Sequence, residues 1–419
     1  MVVTADSGTQ LVLALAVILA AAKLGGDLAE RAGQPAVLGE LLGGVLLGNL
    51  DAVGVGWFRS LTLDPAIEGL ATIGVVLLMF DVGLESSIAD MRKVGWRAFW
   101  VAVLGVIVPW LLGYAAGAIL LPERSHYVHL FLGATLTATS VGITARVLRD
   151  LHRSDTPEAR IILGAAVIDD VLGLVILAVV AGLIGAANQG TTLSLGSVSW
   201  LVGKAVVFLF GALWLGTMIS PGLFGLTARL KGSSLLLVTA LVFCFLLAAG
   251  AGMIGLAPIV GGYAAGLILE RVHYQSFLDR GERALEQLIK PIAGFLVPIF
   301  FVVMGLKVEL AGLGGGRSLG FALVLIVVAI LGKQACSLGG LGSNLDKLSI
   351  GIGMIPRGEV GLIFANLGLG LSVGGQAVVD QALYSTVVLM VLVTTVVTPP
   401  ALKWSLGRQR QPPSERSPH

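Results

Sequence analysis

The stretch Gly164-Ala165-Ala166-Val167-Ile168-Asp169-Asp170-Val171-Leu172-Gly173 places two adjacent carboxylates inside a long apolar run. No other charged residue occurs between Arg160 and Lys204. If the run spans a membrane, each ionised aspartate near its middle costs roughly 3 kcal/mol on insertion scales. Since acids within membrane spans usually mark ion or proton pathways, the pair predicts such a pathway. The alternative is a pair of neutral, hydrogen-bonded carboxyls that only hold helices together.

The composition is that of an integral membrane protein built from helices. The chain has 419 residues, of which 56% are hydrophobic and 12% charged, whereas an average soluble protein carries about 25% charged residues. Its mean hydropathy is +0.94. Apolar runs of helical length recur, and the short alternating segments of a membrane β-barrel do not. A net charge of +2 and the lack of a basic, aromatic-rich run argue against a nucleic-acid partner.

Thirteen candidate spans make up most of the chain. They cover residues 9 to 31, 36 to 50, 66 to 84, 98 to 121, 127 to 148, 160 to 186, 198 to 219, 233 to 249, 251 to 269, 289 to 306, 318 to 338, 347 to 370 and 380 to 403. Lys and Arg concentrate in the connections that would be cytoplasmic if the N-terminus lay outside. We therefore expect an all-α polytopic domain over 1–404, a short polar cytoplasmic tail over 405–419, and an outside N-terminus.

Two spans are predicted to be interrupted. In the fifth, Leu136-Thr137-Ala138-Thr139-Ser140-Val141-Gly142-Ile143-Thr144 has four hydroxyls and a glycine; in the twelfth, Gly353-Met354-Ile355-Pro356-Arg357-Gly358-Glu359-Val360-Gly361 has a proline and three glycines. Interrupted spans in the two halves of a chain point to a transporter site at the bilayer midplane. Their odd offset of seven spans would suit an inverted repeat of spans 4 to 6 against spans 11 to 13.

Few other ionisable residues lie within spans, and each has two interpretations. Lys333 either extends its ammonium to the interface or is buried and pairs with an aspartate. Arg357 and Glu359 are expected to neutralise each other and the half-helix ends beside the break, with a direct role in ion binding as the alternative.

Three further polar residues also have two interpretations each. Thr139 and Ser140 either supply oxygens to a small cation or merely cap an unwound turn. Asp81, near the inner end of span 3, is either an interfacial residue or an accessory acid.

Six segments occur in order from residue 34 to about 361. They are Gln34-Pro35-Ala36-Val37-Leu38-Gly39-Glu40, Val82-Gly83-Leu84-Glu85, Ala138-Thr139-Ser140-Val141-Gly142-Ile143-Thr144-Ala145-Arg146, Ala166-Val167-Ile168-Asp169-Asp170, Gly332-Lys333 and Pro356-Arg357-Gly358-Glu359-Val360-Gly361. Together they resemble the monovalent cation/proton antiporter-2 family, especially its NapA-type sodium/proton antiporters, in which they occur in the same order. With the span count, the resemblance covers nearly the whole chain.

The resemblance implies a role for each matching residue. Asp170 matches the family's Na⁺-binding aspartate, Asp169 the preceding acid, and Lys333 the lysine that pairs with that acid until sodium binds. It also implies crossing discontinuous helices in spans 5 and 12, a core and a dimerisation domain, a homodimer, elevator-like movement and electrogenic exchange. Asp81 departs from the family pattern, which leaves room for a changed pH response.

The predicted protein is therefore a secondary transporter in the inner membrane of a prokaryote, in contact with its lipid. It would exchange Na⁺ or Li⁺ for protons without a cofactor, and we expect no nucleotide-binding domain. The alternative within the family is a K⁺/H⁺ antiporter. An intramembrane aspartyl protease would need aspartates on separate helices and a Gly-x-Gly-Asp element, so we do not expect an enzyme. A cation channel would need a filter ring, which the sequence does not indicate.

Overall fold

A computed structural model of the chain describes most of its residues. The described residues are 7–54, 57–61, 64–85, 95–151, 153, 156–188, 195–230, 234–254, 256–269, 277, 283–313, 316–340 and 345–408. Most of the predicted tail, from 409 to 419, therefore lies outside the described residues, and so does the side chain of Glu359.

The fold is almost entirely helical. The helices are α1 (Ser7–Arg31), α2 (Ala36–Gly48), α3 (Trp57–Ser60), α4 (Pro65–Glu85), α5 (Trp96–Leu120), α6 (His126–Thr135), α7 (Val141–Asp150), α8 (Pro157–Asn188), α9 (Leu195–Thr227), α10 (Leu235–Met253), α11 (Pro258–Ile268), α12 (Leu285–Leu306), α13 (Leu310–Leu313), α14 (Gly316–Gln334), α15 (Lys347–Gly353), α16 (Gly358–Leu369) and α17 (Gln381–Gly407). Two 3₁₀ turns cover Leu50–Val53 and Ala335–Gly340. A small antiparallel hairpin pairs β1 (Ser372–Val373) with β2 (Gln376–Ala377).

Within the described residues, eight helices are long and apolar enough to cross a membrane. They correspond to predicted spans 1, 3, 4, 6, 8, 10, 11 and 13, so the prediction of a multi-pass helical membrane protein is confirmed. The other five predicted spans coincide with α2, α9 and α11 and with two interrupted pairs, α6 with α7 and α15 with α16. The count of thirteen spans stays a prediction.

The helices pack as two groups. The first, which we call the panel bundle, contains α1, α2, α4, α10, α11 and α12, and the second, the site bundle, contains α5 to α8 and α14 to α17. Helix α9 packs against both α8 and α11 and so joins the two groups. Glycines allow close backbone approach in the panel bundle: a methyl group on Gly39 would overlap the backbone of Gly25, and one on Gly266 would overlap that of Phe80.

Both predicted interruptions are present, and they lie side by side. Residues 136–140 separate α6 from α7, and residues 354–357 separate α15 from α16. Proline has no N–H to continue a helix ladder, which favours the second interruption at Pro356. The Ser140 N–H donates to the carbonyl of Pro356 at 2.7 Å, and the Thr144 hydroxyl donates to that of Gly353 at 2.6 Å. Each interrupted segment thus satisfies backbone groups that the other leaves open.

Candidate ion-binding site

Helix α8 carries both aspartates near its middle, in two different environments. Asp169 is fully buried, and Asp170 is 8% exposed. Adjacent residues on an α-helix point about 100° apart, so the two carboxylates face different neighbours. Both carboxylates are therefore buried, and Asp170 is the one that keeps a small exposed fraction.

The fully buried ammonium of Lys333 forms three hydrogen bonds. Its Nζ donates to Asp169 Oδ1 at 3.0 Å, to the Gly105 carbonyl at 2.6 Å and to the Thr137 carbonyl at 2.7 Å. An ammonium has three donors, and here all three are used. Of the two interpretations of Lys333, the structure therefore has the buried, paired lysine and not the one that reaches the interface.

The second oxygen of Asp169 is less well satisfied. In the part of the chain that the structure describes, Asp169 Oδ2 is buried and has no hydrogen-bond partner. A buried charge without full compensation is expensive. The ion pair is therefore buried with one carboxylate oxygen outside the hydrogen bonds of Lys333, and the Thr139 hydroxyl and the charge of Arg357 also act on Asp169.

Thr139 and Ser140 lie at the interruption of the fifth span. Both are buried, and the Thr139 hydroxyl donates to the carbonyl of Met354 at 3.4 Å. Gly358 has a φ of +38°, and a methyl group there would lie 2.5 Å from the Ser140 hydroxyl oxygen. A side chain at position 358 would thus be strained and would crowd Ser140, so glycine is required for the two interruptions to meet.

Arg357 connects the two interruptions through backbone carbonyls. Its fully buried guanidinium donates to the carbonyls of Leu136, Ala138 and Ala329, the last two at 2.8 and 3.0 Å. Leu136 and Ala138 follow the C-terminal end of α6, where unpaired carbonyls carry partial negative charge. Arg357 therefore compensates a half-helix end of the other interrupted span. The predicted partnership with Glu359 involves a side chain outside the described residues.

Gly105, on α5, is a part of the site that the sequence did not single out. Besides the carbonyl that it offers Lys333, it leaves room for the ion pair. A methyl group at this position would lie 2.7 Å from Cys336 Sγ and 3.5 Å from both Asp169 Oδ1 and Lys333 Nζ. In the sequence Gly105 is simply a glycine within an apolar span, and many other glycines of this chain occur in such spans.

Two cavities lie between the panel bundle and the site bundle. One, of about 300 Å³, is lined by Ser140 and Gly358 at the interruptions and by apolar residues of both bundles. The other, of about 290 Å³, is lined by the loop before α2 in the panel bundle and by residues of α7 and α17 in the site bundle, among them Lys403. The cavities share Pro35 and Ile143. Because one water occupies about 30 Å³, each has room for several waters beside the helix interruptions.

Asp81 belongs to the other bundle. It lies on α4 of the panel bundle, is partly exposed, and follows Leu78 by three residues, about one helical turn. Leu78 lines the cavity that reaches Ser140. Asp81 thus lies on a helix of the panel bundle, whereas Asp169 and Lys333 lie in the site bundle.

Comparison with known proteins gives one consistent result. Residues 14–407 match the family described as sodium/hydrogen exchanger, transmembrane. The chain is 36% identical over 426 residues to the high-affinity Na⁺/H⁺ antiporter NhaS3 of Synechocystis, covering 93% of this chain and 88% of that one. It is 36% identical to the Na⁺/H⁺-K⁺ antiporter GerN of Bacillus cereus (94% and 95% covered) and 33% identical to a Na⁺/H⁺ antiporter of Enterococcus hirae (93% and 96% covered).

The fold is also similar to that of a solved antiporter. The structure of the sodium proton antiporter MjNhaP1 from Methanocaldococcus jannaschii at pH 8 superposes with a TM-score of 0.68 and covers 95% of this chain and 97% of that one. Sequence identity between the two is 17%, so this likeness concerns the fold alone.

Proposed function

Because the chain belongs to the transmembrane sodium/hydrogen exchanger family, we propose that it exchanges Na⁺ for protons across a membrane, with Asp170 as the ion-binding carboxylate. It is a transport protein and not an enzyme. The observation that carries the proposal is the buried ion pair of Lys333 and Asp169 at 3.0 Å, directly beside the more accessible Asp170 and the two helix interruptions.

Coupling follows from competition for one carboxylate. Na⁺ is a hard cation that prefers oxygen ligands, and Asp170 with Thr139 or Ser140 and waters would supply them. A protonated Asp170 cannot serve as an anionic ligand, so proton binding and Na⁺ binding exclude each other. Exchange then needs no cofactor, because the two gradients supply the energy.

Asp169 and Lys333 would add a second proton to the cycle. A cation at Asp170 competes with Lys333 for the negative charge of Asp169, since opposite charges a few ångströms apart interact strongly at low dielectric. When Asp169 turns towards the cation, Lys333 loses its counter-ion and can release a proton. More than one proton would move against each Na⁺, so transport would be electrogenic.

The finer architecture is also a proposal. Thirteen spans with an inverted repeat would make spans 5 and 12 two crossing discontinuous helices, and the site bundle would move against the panel bundle like an elevator. Two observations support this reading: the site bundle contains spans 4 to 6 and 11 to 13, and the interruptions meet within it. The panel bundle would then provide the surface of a homodimer, in the inner membrane of a prokaryote, with the N-terminus outside.

K⁺ is the alternative substrate. One relative at 36% identity is named a Na⁺/H⁺-K⁺ antiporter, and carboxylate and hydroxyl oxygens suit both ions. The Na⁺/H⁺ names of three similar relatives favour sodium.

Proteoliposomes with a pH-sensitive dye test the proposal. Added Na⁺ or Li⁺ should drive proton movement in the wild type, whereas Asp170→Asn should abolish it. Asp27→Asn is the matched control, because Asp27 is an exposed residue paired with Arg31 at 2.8 Å and its loss should leave exchange intact. Exchange retained by Asp170→Asn would contradict the assignment, and a response to K⁺ alone would favour the alternative substrate.

A further inference from the structure

The interface between the panel and site bundles differs at its two ends. We call the end that contains Lys307, just after α12, the Lys307 end, and the end that contains Pro35, just before α2, the Pro35 end. The two cavities of about 300 and 290 Å³ separate the bundles towards the Pro35 end. At the Lys307 end the bundles are joined by hydrogen bonds.

Lys307 makes the first two of these contacts. Its Nζ, from the panel bundle, donates to Asn366 Oδ1 on α16 of the site bundle at 3.0 Å. Its backbone carbonyl accepts a hydrogen bond from the side-chain amide of Gln381, in the first turn of α17. One residue of the panel bundle is thus held by two helices of the site bundle.

Tyr384 makes a third contact at the same end. Its fully buried ring extends from α17, and its hydroxyl donates to the carbonyl of Met304 on α12 at 2.8 Å. A fourth contact joins the segment after α12 to α17, because the Glu309 N–H donates to the Ser385 hydroxyl at 2.9 Å. On the side of the panel bundle, all four hydrogen bonds fall within residues 304–309.

We propose that Lys307, Asn366, Gln381 and Tyr384 form a lock that keeps the Lys307 end closed and must open once in every transport cycle. The proposal rests on the proposed function, because only a carrier that alternates between two sides needs this end to open. These side chains do not contact the ion pair of Lys333 and Asp169. They are positioning residues, which act by setting how the two bundles sit against each other.

The Lys307 contact is the strongest member of the lock. A hydrogen bond from an ammonium is about twice as strong as one between neutral groups, so its loss should shift the equilibrium between the closed and open states of this end by about tenfold or more. Burial lowers the pKa of Lys307, and the negative charge of Glu68, at the start of α4, opposes this decrease. The lysine therefore keeps an acidic neighbour within its own bundle when the bond to Asn366 opens.

Two substitutions that shift the equilibrium between the closed and open states of the Lys307 end in opposite directions would identify the lock. Lys307→Met removes the charged contact and should favour opening at the Lys307 end, whereas Asn366→Asp replaces a neutral acceptor by a carboxylate and should favour closure. Apparent affinity scales with the fraction of binding-competent molecules. For Na⁺ added at the Lys307 end, the first variant should bind about tenfold more tightly than wild type and the second more weakly.

The experiment measures the half-saturating Na⁺ concentration from each side of oriented proteoliposomes, together with hydrogen–deuterium exchange of residues 304–309 and 381–386. The control is Lys290→Met, since Lys290 is an exposed lysine of α12 that takes no part in the lock. We expect faster amide exchange in Lys307→Met, slower exchange in Asn366→Asp and no change in the control.

Two results would overturn the lock. Amide exchange that is the same in wild type and both variants would show that the contacts do not hold the bundles together. Equal losses of maximum rate in all three variants, with both affinities unchanged, would show a structural role only. If the wild type exchanges none of Na⁺, Li⁺ and K⁺, the proposed function fails, but the amide-exchange comparison still decides whether the lock exists.

Discussion

Lys333→Met tests the balance of charge at the centre of the site bundle. The substitution keeps most of the side-chain volume but removes an ammonium that serves Asp169, Gly105 and Thr137. Removing one partner of a buried ion pair costs about 3–5 kcal/mol, because the remaining charge is left uncompensated. Asp169 is fully buried and already has one unsatisfied oxygen, so we expect the upper part of that range.

The double variant Lys333→Met/Asp169→Asn should recover part of this loss. With both charges removed, the remaining cost is that of two carbonyls without donors, about 1–3 kcal/mol each, offset by the amide that replaces the carboxylate. We expect the double variant to be at least about 2 kcal/mol more stable than the single variant. Unfolding by SDS titration in mixed micelles measures both differences, and Lys290→Met, at an exposed lysine of α12, is the control.

The same variants separate stability from transport. If Lys333 carries the second proton, currents recorded on solid-supported membranes should decrease strongly in Lys333→Met, while exchange followed by dye continues to some extent. A single variant that loses less than about 1 kcal/mol, or a double variant no more stable than the single one, would refute the reasoning on the ion pair. Unchanged currents would show that Lys333 takes no part in coupling.

Three further substitutions probe the surroundings of the pair. Gly105→Ala places a methyl group 2.7 Å from Cys336 Sγ, so it should lower both stability and Na⁺-dependent exchange; dye assays and SDS titration measure the two effects. Arg357→Met removes a charged donor from three buried carbonyls and should cost several kcal/mol, about 1 to 3 for each carbonyl, seen as loss of folded protein on size-exclusion chromatography. Thr144→Val removes one neutral hydrogen bond to Gly353 and should cost only about 1 kcal/mol; a larger loss than in Arg357→Met would contradict the view that Arg357 holds the interruptions together.

The charged residues of the site, which cost free energy to bury in a membrane, could be identified from the sequence. Asp169, Asp170 and Lys333 are charges in apolar runs, and the physics of the bilayer makes each of them an exception that needs a reason. Pro356 and its glycines likewise marked a place where helix hydrogen bonds must be lost. Such features are local, so no knowledge of the fold was needed to find them.

The partners of these residues could not be predicted in the same way. Arg357 was expected to act on Glu359 and on the half-helix ends beside the break, and the pairing with Glu359 stays a prediction. The carbonyls that Arg357 satisfies lie 221, 219 and 28 positions away along the chain. Carbonyl groups are present at every residue, so no sequence pattern distinguishes those of Leu136 and Ala138. The contact of Lys307 with Asn366 also depends on how two bundles meet, because Lys307 directly follows one predicted span and Asn366 lies within another, and no sequence pattern pairs them.

Helix lengths were predicted less well than helix positions. The segment 251 to 269 was expected to form one span, but α11 begins only at Pro258, where the proline suits the first turn of a helix. The segment 36 to 50 becomes the 13-residue helix α2. Hydropathy records how apolar a segment is, and short helices buried among others are as apolar as long ones that contact lipid.

The three acceptors of Lys333 have a mechanical consequence. They belong to α5, to the interruption after α6 and to α8, and the lysine itself lies on α14. One ammonium therefore fastens four segments of the site bundle to a single point. A neutral amine has two N–H donors and no charge, so loss of a proton there would loosen all four segments at once. The protonation state of one atom would thus set the stiffness of the site bundle, and rigidity would be greatest when no cation competes for the acid.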